Sequence, residues 1–367
     1  MAGTTALQLL FGLAALIVGA QALVKGASKL ALALGISPLI VGLTVVAFGT
    51  SAPELAVSAQ SAFSGTSELV LGNVVGSNIY NVLFILGVCA LITPLAVAPQ
   101  LIRLDVPIMI GASVMLYMLA LDGSLSRGDG ALLLAGIAAY VLFIIRQARR
   151  ERQAVKDAYA EEMKNAIEPD RRYWLHGLFI LVGLGLLGLG SDWLVAGAVS
   201  IAEAFKLSPL LIGMTVVTLG TTAPEMTACL VASARGEKDI AVGNIVGSNI
   251  FNILAVLGTG GTLSPQGIPV DPGMIGFGIP VMLSVAIACL PVFFAGQAIR
   301  RWEGAMFVAY FGVYMSYLVL ETLKHSAAGT LQVVVIWLML PLTVVTLGVS
   351  AWREWRRSPS QEPTLRH

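Results

Sequence analysis

The sequence predicts an all-α polytopic membrane protein: two inverted five-helix repeats forming a ten-helix core, plus an appended eleventh transmembrane helix. Three observations predict it: the composition, the spacing of long apolar runs, and an internal repeat. Of 367 residues, 57% are hydrophobic and 12% charged, with a mean hydropathy of +0.85. A soluble domain carries roughly 25% charged residues to wet its surface. An ordinary cytosolic enzyme is therefore excluded, and so is intrinsic disorder, which requires low hydrophobicity. The net charge of +1 excludes a nucleic-acid binder that works through bulk charge. Cys89, Cys229 and Cys289 lie singly in apolar runs without CxxC spacing. They point to neither a disulfide framework nor a zinc site.

A spanning helix needs about 20 mostly apolar residues. Eleven such runs lie near 6–34, 37–64, 67–94, 104–121, 129–147, 173–204, 208–234, 239–263, 273–296, 303–322 and 330–351. The first is not a signal peptide: it lacks a basic start and runs past Lys25 and Lys29 without a cleavage site. With the N-terminus outside, 19 of the 22 Lys and Arg residues fall on the inner side, leaving Arg127, Lys206 and Lys324 outside. The positive-inside rule then gives an odd number of spans, a cytoplasmic C-terminus and a multi-pass protein of the cell's inner (plasma) membrane. The domain organisation is a first five-helix repeat at 1–147, a cytoplasmic linker at 148–172 and a second, inverted repeat at 173–324. An extra transmembrane helix at 325–352 and a cytoplasmic tail at 353–367 follow. The linker mixes basic residues with Glu151, Asp157, Glu161, Glu162, Glu168 and Asp170, and reads as a solvated segment with a helical turn or two. The tail reads as disordered.

Residues 37–87 and 208–258 align without a gap at an offset of 171, nearly half their positions identical. Pro, Glu, Asn and Gly recur in register, so low complexity does not explain the match. Five spans per unit is an odd number, so the two copies enter the membrane from opposite sides. Inverted repeats of this kind build many secondary transporters, with the substrate site at the repeat interface near the midplane.

Two motifs within the repeat carry chemistry. G-T-S-A-P-E at 49–54 and G-T-T-A-P-E at 220–225 sit inside apolar spans. Pro53 and Pro224 lack an N–H and clash with the preceding turn, which frees the carbonyls of Gly49 and Gly220 and loosens those of Thr50 and Thr221. Freed carbonyls at membrane depth are tolerated only inside protein or along a cavity, where they can coordinate cations. Glu54 and Glu225 follow one helical turn on, on the same face. An ionisable residue at such depth marks a functional site by default, and two at matching positions beside prolines strengthen the reading against a protonated structural Glu. G-N-V-V-G-S-N-I-Y-N at 72–81 and G-N-I-V-G-S-N-I-F-N at 243–252 form the second pair. Asn73, Ser77 and Asn81 make an i, i+4, i+8 stripe, repeated by Asn244, Ser248 and Asn252. Ser77, Asn81, Ser248 and Asn252 are the better ligand candidates. Asn73, Asn78, Asn244 and Asn249 are as readily interhelical glue, and the glycines permit close helix approach. The combined set is all oxygen, without His or Cys. It suits hard cations such as Ca²⁺ or Na⁺, and two carboxylates neutralise one divalent ion.

These paired motifs resemble the alpha-repeats of the cation/calcium antiporter superfamily, most closely the prokaryotic sodium/calcium exchangers. The resemblance covers the ten-span core and omits the last span and tail. It implies a pseudo-symmetric ten-helix fold that exports Ca²⁺ in exchange for Na⁺ by alternating access, with these ions as transported substrates and no cofactor. By position, Glu54 and Glu225 would be shared Ca²⁺/Na⁺ ligands, with the Thr50 and Thr221 carbonyls completing the Ca²⁺ shell. Ser51, Ser77, Thr222 and Ser248 would line flanking Na⁺ sites, Ala47 and Thr218 would add carbonyls, and Asn81 and Asn252 would lie beside the middle site. Many sodium/calcium exchangers carry Asp where this chain has Asn252. Both stripes here end in Asn, as in some proton- or lithium-handling relatives, so H⁺ is the alternative coupling ion.

Other polar residues read as structural. Asp192 is expected to cap or bond between helices, Asp105 to pair with Arg103, and His176 to lie at the inner interface beside Trp174, with Trp302, Trp352 and Trp355 completing an aromatic belt. Two other classes compete. An intramembrane enzyme would need a nucleophile, metal triad or phosphate loop beside the carboxylates, and none accompanies them. A channel would need a continuous pore rather than one compact site.

Overall fold

The computed structural model describes residues 2–64, 68–162, 172–204, 218–323, 327–334 and 348. The chain opens with α1 (Ala2–Leu34). A bent pair follows, α2 (Pro38–Thr50) and α3 (Ala52–Ser64), meeting at 43°. Then come α4 (Leu69–Ile92), α5 (Leu101–Ala120) and α6 (Arg127–Glu162). The second half holds α7 (Tyr173–Ala204), α8 (Thr218–Thr221), α9 (Ala223–Ala234), α10 (Lys238–Leu263), α11 (Met274–Gln297) and α12 (Arg301–Thr322). Helix α13 (Ala327–Val334) is the described part of the eleventh span. Among the described residues, eight helices are long and apolar enough to cross a membrane, and the bent pair makes nine. The predicted spans at 208–234 and 330–351 lie partly outside the described residues, as does the end of the linker; the tail lies wholly outside them.

One expectation needs correcting. The linker is not a turn or two of helix: α6 continues unbroken to Glu162. Residues 148–162 are rich in Ala, Arg, Glu, Gln and Lys, good helix formers, and they extend a helix that is already nucleated. On this extension Glu151 accepts the backbone N–H of Ser37, just before α2, at 3.0 Å.

The two halves meet along α1 and α7, which are repeat counterparts. Gly12, Gly19 and Gly26 on α1 stand 171 positions before Gly183, Gly190 and Gly197 on α7. A Cβ at Gly19 would lie 2.8 Å from the Gly183 carbonyl oxygen, and one at Gly183 would lie 2.8 Å from that of Gly19. Such small residues let backbones approach in lipid, where packing rather than hydrophobicity drives association.

Four two-residue strands record the inversion directly. β1 (Leu95–Ala96) pairs antiparallel with β4 (Ala298–Ile299), and β2 (Ser124–Leu125) with β3 (Ile268–Pro269). The loop after the third span of the first half thus joins the loop after the fourth span of the second. Within one half those two loops lie on opposite faces. They share a face across the halves only because one half is upside down.

The centre belongs to α4 and α10, again counterparts. Every residue in the apolar window of α10 is buried, and 72% of that of α4, against 22% for α6 and α12. These two helices carry the Gly–Asn motifs. Both widen into π-helical turns, at Tyr80–Leu86 and Asn252–Val256, and α5 and α11 show a second matched pair at Leu101–Asp105 and Met274–Gly278.

Candidate functional site between the broken helices

The two Pro motifs break their helices alike. Ser51 adopts φ −85°, ψ 7° and Thr222 adopts φ −87°, ψ 1°, the sparsely occupied bridge between helical and extended backbone. A new half-helix starts just after each, with Pro53 or Pro224 in its first turn, where the missing N–H costs nothing. Glu54 and Glu225 therefore also fall in first turns, at the positive end of the α3 and α9 dipoles. The sequence thus places two carboxylates where backbone N–H groups gather.

Tertiary contacts bring the halves together. The Ser51 hydroxyl donates to Glu225 Oε1 at 3.0 Å, across 174 residues. Glu54, Glu225, Ser51, Thr50, Thr222, Ser77, Ser248, Asn81 and Asn252 are all buried. Among the described residues, both oxygens of Glu54, Oε2 of Glu225, the Ser77 and Ser248 hydroxyls and Oδ1 of Asn81 and Asn252 have no hydrogen-bond partner. Buried polar atoms are nearly always paired, so this concentration of orphan oxygens is the local feature that sets the region apart. An all-oxygen set with two carboxylates is what a hard cation requires.

Other predicted residues are partly committed elsewhere. The Thr50 hydroxyl lies 3.4 Å from the Ala47 carbonyl and 3.2 Å from Asn244 Oδ1, and the Ala47 carbonyl also accepts the Ser51 N–H at 3.1 Å. Thr221 is half-buried. The backbone of Thr218 opens α8, and its side chain lies outside the described residues. The carbonyl of Gly220, freed by Pro224, is taken by the Ser191 hydroxyl at 2.6 Å. It is thus satisfied by protein rather than left for an ion, as the proline argument alone implied. Ser191 aligns with Ala20 in the first half, so matching the repeats could not have found it.

Two structural expectations are also corrected. Asp105 does not pair with Arg103. It is buried and accepts from the Tyr140 hydroxyl and Gln100 Nε2, each at 3.2 Å, because its π-helical turn directs it inward. Asp192 is exposed, and its neighbour Ser191 makes the interhelical bond. His176 is buried, whereas Trp174 and Trp302 are exposed, as a belt requires.

Comparison with known proteins decides the family. A model of the family described as "Sodium/calcium exchanger protein" matches residues 4–146 and 175–320. The chain belongs to the sodium/calcium exchanger family. Such a member is a membrane antiporter, not an enzyme. Among relatives, CaxA of Alkalimonas amylolytica is 42% identical over 282 residues, 77% of this chain and 87% of that one. The sodium/calcium exchanger MaX1 of Methanosarcina acetivorans is 31% identical over 338 residues, 84% and 96%. The structure of the sodium-calcium exchanger NCX_Mj soaked with zero Na⁺ and Ca²⁺ superposes with a TM-score of 0.74 at 26% identity, over 87% of this chain and 100% of that one. The family match passes over residues 147–174 and ends at 320. It leaves out the linker and the eleventh span.

Proposed function

We propose that this exchanger-family antiporter exports Ca²⁺ in exchange for Na⁺, by alternating access at one site shared by Glu54 and Glu225. The observation that carries the reading is the set of buried oxygens, unpartnered among the described residues, that both repeats contribute. Two carboxylates neutralise one Ca²⁺. The Ser51, Ser77, Thr222 and Ser248 hydroxyls supply the extra oxygens that Na⁺ ions need when the divalent ion leaves. The Thr50 and Thr221 carbonyls complete the Ca²⁺ shell, with Ala47 and Thr218 at the Na⁺ positions. The protein works as a multi-pass protein of the inner membrane with its N-terminus outside, the orientation that puts most Lys and Arg inside. The relative named inner membrane protein YrbG of Escherichia coli, 38% identical over 235 residues, agrees with that location.

One observation favours H⁺ as an alternative coupling ion: both polar stripes end in Asn, Asn81 and Asn252, where many sodium/calcium exchangers carry an Asp in the second. Radioactive Ca²⁺ uptake into proteoliposomes, with Na⁺, K⁺ or H⁺ gradients imposed separately and the membrane potential clamped, tests both. Stimulation by outward Na⁺ with a protonophore present supports the Na⁺ reading. No stimulation by Na⁺, but stimulation by an outward H⁺ gradient without protonophore, replaces it.

A further inference from the structure

Asn78 and Asn249 stand outside the ligand set above, yet they hold two of its members. They are repeat counterparts on α4 and α10, and both are buried. Asn78 Nδ2 donates to the backbone carbonyl of Asn249 at 3.2 Å, and Asn249 Nδ2 donates to the backbone carbonyl of Asn78 at 3.3 Å. A backbone carbonyl only accepts. Each amide must therefore turn its NH₂ toward the opposite helix and its oxygen the other way. The sulfur of Met282, 3.7 Å from Asn78 Nδ2, is a weak acceptor that fits the same orientation. The two oxygens then meet the stripe residues: Asn81 Nδ2 donates to Asn249 Oδ1 at 3.0 Å, and Asn252 Nδ2 donates to Asn78 Oδ1 at 3.1 Å. An amide oxygen also only accepts, so Asn81 and Asn252 must each spend an N–H there. Among the described residues, their own oxygens are left buried and without a donor. Turning any one of the four amides would set oxygen against oxygen or N–H against N–H, so the polarity follows from the two backbone carbonyls and not from how each amide was assigned.

We propose that Asn78 and Asn249 are positioning residues for transport: a two-fold amide relay that fixes Asn81 and Asn252 with their oxygens toward the ion. The inference rests on the two-glutamate reading. Its consequence is selectivity. A free amide can present either NH₂ or oxygen, and NH₂ repels a cation. The relay removes that choice on both repeats at once, and the paired bonds between α4 and α10 keep the two oxygens in matched positions.

The test compares Leu with Gln at each position. Asn78→Leu and Asn249→Leu keep the volume and lose the relay, whereas Asn78→Gln and Asn249→Gln keep donor and acceptor on a longer arm. In proteoliposomes the Leu variants should raise the KM for Ca²⁺ about tenfold, the worth of one buried hydrogen bond, while turnover at saturating Ca²⁺ is largely retained. The Gln variants should lie closer to wild type. A wild-type KM in the Leu variants overturns the relay, and so does greater damage by Gln than by Leu, the order a packing role would give. If leucine prevents folding, Asn78→Ala in the same assay decides by the same outcomes. Glu54→Gln is measured in parallel. Wild-type transport by that variant defeats the two-glutamate reading; its loss, with a wild-type KM in the Leu variants, defeats the relay alone.

Discussion

Gly247→Ala should loosen the helix that carries half of the candidate site. Gly247 lies on α10 between Asn244 and Ser248. A Cβ there would come 2.6 Å from the carbonyl oxygen of Leu43, 2.9 Å from its Cα and 2.8 Å from the Ala47 Cβ. Carbon and carbonyl oxygen normally approach no closer than about 3.3 Å, so α2 must retreat by about 0.7 Å. The obstacles are mostly backbone and cannot rotate aside. Overpacking of this kind costs about 1–3 kcal/mol, against which alanine's better helix propensity returns at most about 1 kcal/mol. The displaced segment leads into Ser51, whose 3.0 Å bond to Glu225 should weaken. Thermal unfolding in detergent and Ca²⁺ uptake in proteoliposomes should both fall. Gly111→Ala is the control: nothing lies within 4 Å of a Cβ there, so the same chemical change on α5 should be neutral or stabilising. A Gly247→Ala protein with wild-type unfolding and uptake would refute the close-packing argument. So would equal damage from Gly111→Ala.

Glu54→Gln and Glu225→Gln should each abolish Ca²⁺ transport in a folded protein, because a divalent ion would face one charge in a low-dielectric setting. Thr50→Ala should be milder, since its hydroxyl is already directed to Ala47 and Asn244 and its carbonyl is retained; wild-type exchange in either Gln variant counts against the assignment. Ser191→Ala should cost about 1–3 kcal/mol by leaving the buried Gly220 carbonyl unpaired, and Ser191→Thr should restore most of it; an unchanged unfolding temperature in the Ala variant would show that the carbonyl needs no donor. Single cysteines at Ala160 and Ser360, in a background lacking the native three, should resist impermeant thiol reagents added outside intact cells, and ready labelling of either would reverse the proposed orientation.

Most of the spans, the repeat, its inversion and the broken helices were legible in the sequence because each rests on a local or periodic property. Twenty apolar residues must span, five spans must invert, and a proline must break the helix in which it sits. The Glu, Ser and Asn candidates were legible for a related reason: polar residues inside such spans are costly and recur in register. Tertiary structure alone decided how those groups are spent. The Gly220 carbonyl goes to Ser191, Asp105 goes to Tyr140 rather than to nearby Arg103, and Asn78 and Asn249 set the polarity of Asn81 and Asn252. Each is a bond between helices, and the amide relay joins residues about 170 positions apart. The π-helical turns that aim Asp105 inward and begin at Asn252 leave no mark on composition or period, because one extra residue in a turn changes direction without changing hydropathy. Sequence determined which oxygens enter the membrane; only packing determined which are left without a partner.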